Sequence, residues 1–192
     1  MPLYLIEGPD NANVLPLADM KQWLRVDHDR DDDLIESMIA SAIQQLDGRD
    51  GWLNRSLGVS TWELRLCEFS FYEIVLPLPP LIAVISVKYY DTDGYKQTLG
   101  PSNYCVAGIG GIKPRLELKH GKSWPGTSPR SEGVVIQYQA GYADGQVPAP
   151  IVTALKRMVA AMYENREAVV VGQTVIAMPF GVEANLAPYR VW

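Results

Sequence analysis

The sequence predicts an α+β fold: a small helical bundle with an inserted antiparallel β-sheet and an extended C-terminal arm. Three observations point there. Apolar residues recur at helical spacing towards both ends of the chain, the spacing changes to two from Ser60 to Tyr138, and residues 168–192 are apolar where a chain end is normally polar. The bundle then comprises two N-terminal helices and one long C-terminal helix. The implied boundaries are 1–58 for the N-terminal helical part, 59–146 for the β-rich insertion, 147–167 for the closing helix and 168–192 for the arm.

Each element has its own signature. Pro16 opens a short helix in which Leu17, Met20 and Leu24 share a face beside Trp23, proline being suited to a first turn whose N–H lacks a partner anyway. Asp31, Asp32 and Asp33 open a second helix, their charge complementing the positive end of its dipole. Its stripe is Leu34, Ile35, Met38, Ile39, Ala42, Ile43 and Leu46; Gly48 and Gly51 weaken or end it, although Trp52 and Leu53 extend the stripe by a turn if the helix continues. Trp62, Leu64 and Leu66 then alternate with Glu63, Arg65 and Cys67, as a half-buried strand requires. Residues 71–76 read as a strand, and Pro77, Pro79 and Pro80 exclude the next segment, 77–80, from a sheet interior. Ile85, Val87 and Tyr89 form one face of the next strand, and Asp91-Thr92-Asp93-Gly94 turns it back. Weaker strands are expected over 95–99, 104–107 and 112–118, with a last one through Val134, Ile136 and Tyr138. The closing helix starts at Pro148 or Pro150 and buries Ile151, Ala154, Leu155, Met158, Val159 and Met162.

Bulk properties narrow the function. A composition of 47% hydrophobic and 20% charged residues is that of a globular protein, not a disordered one. A net charge of −5 argues against a protein that grips a nucleic-acid backbone, but suits a wall that DNA slides past. Cys67 and Cys105 read as small, buried, reduced residues. No basic start with an apolar run marks a signal peptide, and no apolar run has the length of a membrane span, so a soluble, cytoplasmically made protein is expected.

The chemistry-bearing patterns mostly dissolve on inspection. Asp27, Asp29 and Asp31 imitate calcium-loop positions, but Asp32 stands where that loop needs glycine and Met38 where it needs glutamate. His28 and His120 lie in no metal-binding motif. The glycines at 108, 110 and 111 lead into Lys113-Pro114, which cannot start a phosphate-binding helix, so they form a loop tip. The aromatic residues Trp52, Trp62, Tyr89, Tyr90, Trp124 and Tyr142 lack interleaved cations and read as packing residues. No catalytic residue, metal site or cofactor is expected. Glu164, Arg166 and Glu167 form a charged helix end, and Arg166 is a candidate ion-pair partner for Asp31 and Asp33.

Taken in order, Leu24-Arg25-Val26-Asp27, Thr61-Trp62-Glu63-Leu64, Leu76-Pro77-Leu78-Pro79-Pro80-Leu81, Trp124-Pro125, Gly141-Tyr142, Val147-Pro148, Tyr163-Glu164-Asn165-Arg166-Glu167 and Pro188-Tyr189-Arg190-Val191-Trp192 resemble the tailed-phage head–tail connector (adaptor) family, in its longer prophage branch with a β-rich insertion. Gly48-Arg49-Asp50-Gly51-Trp52 departs from the family's more continuous helix. The resemblance implies a non-enzymatic virion protein of the neck between head and tail, assembled from the host cytoplasm. It implies a homo-oligomeric ring of about a dozen copies beneath the portal protein, closed by head-to-tail contacts. Such a ring extends the channel through which genomic DNA passes without specific binding, and it docks the stopper or tail-completion protein. No membrane is involved. The competing readings are another neck component, such as a stopper, or a small enzyme or ligand-binding domain using Glu164 or Glu167.

Within that role the apolar arm is expected to find its shelter on the portal or an adjacent subunit, with Val170, Met178, Phe180, Tyr189, Arg190 and Trp192 as contact residues. Asp27 and Asp29 are candidates to face the channel.

Overall fold

Two hydrophobic cores organise the chain in the computed structural model, which describes residues 2–70, 72–165 and 181–192. One belongs to a helical unit of Pro9–Gly58 and Tyr142–Trp192, the other to a sheet unit of Met1–Gly8 and Val59–Gly141. The first eight residues therefore join the sheet unit, whereas the sequence pattern groups them with the helices.

In the helical unit, Asp10 caps a single-turn helix α1 (Asn11–Val14), its carboxylate accepting the Ala12 N–H at 3.0 Å. Helix α2 (Leu17–Leu24) follows Pro16 and stops where Arg25 turns left-handed at φ 59°. Helix α3 (Asp32–Leu46) buries Ile35, Ile39, Ala42, Ile43 and Leu46 against α4 (Ala149–Glu164), which contributes Ile151, Ala154, Leu155, Met158 and Val159. Each fully buried aliphatic side chain contributes about 1.5–3 kcal/mol, so this pair of stripes holds the unit together.

The stripe of α3 does not run on through Trp52. A compact loop takes its place, in which the Trp52 and Leu53 N–H groups return to the carbonyls of Gln45 and Leu46. A Cβ on Gly51 would lie 2.2 Å from the Asp47 carbonyl oxygen, so glycine is the residue that fits. Leu53 and Leu57 then drop fully into the core.

The C-terminal end corrects one expectation. Residues 182–189 are helical, and only the last three, 190–192, leave the helix in an extended path. The helical residues form helix α5 (Val182–Leu186) and a 3-10 turn (Ala187–Tyr189), with Val182 and Leu186 wholly buried in the helical unit's own core. The apolar spacing read as an arm is, over these residues, a short amphipathic helix that the core has room to accept.

The sheet unit holds a five-stranded antiparallel sheet in the order β1-β2-β8-β4-β5 and a three-stranded one in the order β3-β7-β6. The strands are β1 (Leu3–Glu7), β2 (Ser60–Leu66), β3 (Glu73–Val75), β4 (Leu81–Tyr90), β5 (Lys96–Thr98), β6 (Tyr104–Ala107), β7 (Arg115–Leu118) and β8 (Val134–Ala140). Their buried positions, among them Trp62, Leu64, Ile74, Val87, Leu116, Ile136 and Tyr138, share one core. Burial raises the Tyr138 phenol well above its ordinary range, and its O–H donates to the Pro77 carbonyl at 2.9 Å. At the β4–β5 turn Gly94 has φ 85° and the Asp91 carboxylate accepts from the Asp93 and Tyr95 N–H groups, as the turn sequence predicts.

Three expectations change here. β1 is an unforeseen strand. The face of β4 is Val84, Val87 and Tyr89, with Ile85 50% exposed, because register shifts at Leu81/Ala83 and Val84/Ser86 leave Ile82 and Ile85 as extra residues opposite β8. Cys67 is exposed, and both cysteines are free.

Candidate interaction surface

The C-terminal residues are positioned by the loop after α3. The Val191 N–H donates to the Leu53 carbonyl at 3.0 Å, and the Asn54 side-chain amide donates to the Val191 carbonyl at 3.3 Å. Between these bonds the Arg190 guanidinium stacks over two indoles, 4.7 Å from the centroid of Trp52 and 4.2 Å from that of Trp192. Tyr189 packs against the helical core, whereas Trp192 is 90% exposed. The loop itself is closed from below by Asp47, whose carboxylate accepts the Leu57 N–H at 2.5 Å. Burial raises the Asp47 carboxyl to about 6, against the lowering effect of the Leu57 and Gly48 N–H groups.

Of the residues nominated from sequence, Tyr189, Arg190 and Trp192 thus lie together, while Arg166, Val170, Met178 and Phe180 fall outside the described residues. The cradle of Trp52, Leu53 and Asn54 is not foreseen from sequence. Its signal is the Gly48/Gly51 pair, which demands a tight loop rather than a frayed helix end.

The acidic stretch is more occupied than its composition suggests. Lys21 reaches both Asp29 and Asp32 at 2.7 Å; hydrogen bonds to these carboxylates raise the lysine's pKa, and the bond to Lys21 lowers that of Asp29. The Tyr163 O–H donates to Asp31 at 2.6 Å, so the end of α4 does meet the start of α3. Asp27 and Asp33 are exposed. A shallow depression of about 370 Å³ nearby is lined by Asp19, Gln22, Trp23, Arg25 and Lys156. The described residues contain no group of three or more His, Cys, Asp or Glu placed to hold a metal, and no helix long and apolar enough to cross a membrane.

What these surfaces offer is aromatic, cationic and apolar contact, the chemistry of protein association. Residues 15–96 match the model of the phage gp6-like head-tail connector proteins. Over that segment the chain is similar to the head–tail connector family. No curated protein matches it. Among solved structures, a chain from the neck of an empty gene transfer agent (GTA) particle computed with C6 symmetry has a TM-score of 0.78 at 24% identity, over 100% of this chain and 96% of that one. A chain from the virion of the native GTA particle has a TM-score of 0.77 at 23% identity, with the same coverage. One from the neck of the native particle computed with C12 symmetry has 0.71 at 19%, again over 100% and 96%. The chain therefore shares its α+β fold with these particle chains along its whole length.

Proposed function

We propose that this chain is a head–tail connector, a structural protein of the virion neck, forming a ring beneath the portal that extends the DNA channel and gives the stopper or tail its platform. The observation that carries the reading is the end-to-end likeness to neck chains, helical unit and sheet unit alike, joined to the connector-family match over residues 15–96. The cyclic symmetry with which those necks were computed supports the ring. Its role is architectural and not enzymatic. A net charge of −5 keeps a channel wall from retaining DNA.

Within this reading the exposed Trp192 ring, backed by Arg190 and Trp52, is a contact point for the portal or a neighbouring copy. Asp27 and Asp29 are the acidic residues assigned to the channel side.

Loss of the gene product from particles being assembled tests the role. Heads that fill with DNA but carry no tail, and that gain tails when purified protein is added, are the expected result. Tailed, infective or transducing particles made without the protein would contradict it.

A further inference from the structure

The five-stranded sheet ends on one side in β1 and on the other in β4 and β5, and both ends expose apolar residues. On β1 these are Tyr4 at 42%, Leu5 at 51% and Ile6 at 52% exposure, with the exposed Glu7 next in the chain. On the opposite side β5 covers only Lys88, Tyr89 and Tyr90 of β4. Beyond it the bulged Ile82 and Ile85 point to solvent. The β6–β7 loop tip is tied to the same edge by the Gly110 N–H bond to the Leu81 carbonyl, and it exposes Ile109, Ile112 and Lys113. Protected edges are short, charged or covered; these carry large hydrophobic side chains instead.

We propose that neighbouring copies in the ring join through their sheet units, β1 of one copy lying along the uncovered side of β4 of the next. The proposal rests on the ring reading above. A closed ring needs two different surfaces that fit one another, and this sheet carries two apolar edges on opposite sides, one ending at Glu7 and the other flanked by Lys113 of the β6–β7 loop. Direction agrees as well. Successive antiparallel pairings make β1 run opposite to β4. A ring rotation of about 30° or 60° cannot reverse a strand, so the incoming β1 meets β4 antiparallel, the more stable arrangement. The five residues of β1 suit the uncovered stretch, which the Leu99 N–H bond to Val87 and the Gly110 bond to Leu81 bracket. Because bulges interrupt that stretch, the contact is made chiefly by side chains: Tyr4, Leu5 and Ile6 against Ile82, Ile85 and Ile109.

The test uses the full chain mixed with its portal. Leu5→Asp and Ile85→Asp, each melting like the unaltered protein, should reduce ring formation in negative-stain images by about tenfold or more. In a Cys67→Ser background, Leu5→Cys combined with Ile85→Cys should give a ladder of disulfide-linked oligomers that neither single variant gives. Rings at normal yield from both aspartate variants overturn the proposal. If the aspartate variants fail to fold, the ladder decides: its presence supports the edge contact and its absence from assembled rings overturns it. Failure of the unaltered protein to form rings with portal is a different result, which removes the ring reading and this proposal with it.

Discussion

The helical unit and the sheet unit solve the same problem differently. Among the described residues the helical unit buries most of its aliphatic side chains: α3 and α4 bury their stripes and Val182 and Leu186 join the same core, while Trp23, Leu34 and Trp192 stay exposed. The sheet unit buries one shared core yet leaves isoleucines and Leu5 exposed at both edges. A chain that can hide Val182 and Leu186 within itself has no general need to leave Ile82, Ile85, Ile109 and Ile112 in water. On the proposed ring reading, exposure at the sheet edges marks assembly, while burial marks stability.

Mutations can break that contrast. Leu155→Ala, inside the helical core, should cost about 2–5 kcal/mol in denaturant unfolding, since the removed atoms leave a cavity the two helices cannot close. A value below about 1 kcal/mol would mean the stripe is not what holds the unit.

The second prediction concerns pH. Asp47 is raised by burial to about 6 from 3.8, so the folded state binds its proton more tightly than the unfolded chain does. Its stabilising contribution is then complete below about pH 4 and is lost as pH rises through about 6, on the order of 3 kcal/mol in all. Asp47→Asn keeps an acceptor for the Leu57 N–H and should flatten this dependence in melts between about pH 4 and 7. An unaltered slope would place the titration elsewhere.

Smaller effects sharpen the comparison. Arg190→Ala removes the cation held between Trp52 and Trp192 and should cost about 0.5–1 kcal/mol, the exposed indole limiting the loss. Ile85→Thr at the sheet edge should change monomer stability by less than about 0.5 kcal/mol while weakening rings. A large loss of monomer stability there would show that Ile85 serves the fold and not the neighbour.

Much of this architecture is legible in the residues. The stripes of α3 and α4, the Asp91–Gly94 turn and the alternation in β2 and β8 are local patterns whose period follows from backbone geometry. Sequence and structure part where local pattern is silent. In β1, Leu3, Tyr4, Leu5 and Ile6 are all apolar, so nothing alternates to announce a strand. The bulges that expose Ile82 and Ile85 depend on the register with β8, which lies about fifty positions away in sequence. The C-terminal residues look like an arm because sequence shows apolar surface but not whether a core has space for it. The acidic linker is visible as charge; that Lys21 and Tyr163 engage Asp29, Asp31 and Asp32 is a tertiary fact.

The central claim is that this chain is built to multiply around the portal. Electron micrographs of the purified protein mixed with portal test it most directly. The account predicts closed rings of uniform copy number capping the portal. Portal particles left bare beside a protein that stays monomeric at every concentration would contradict it.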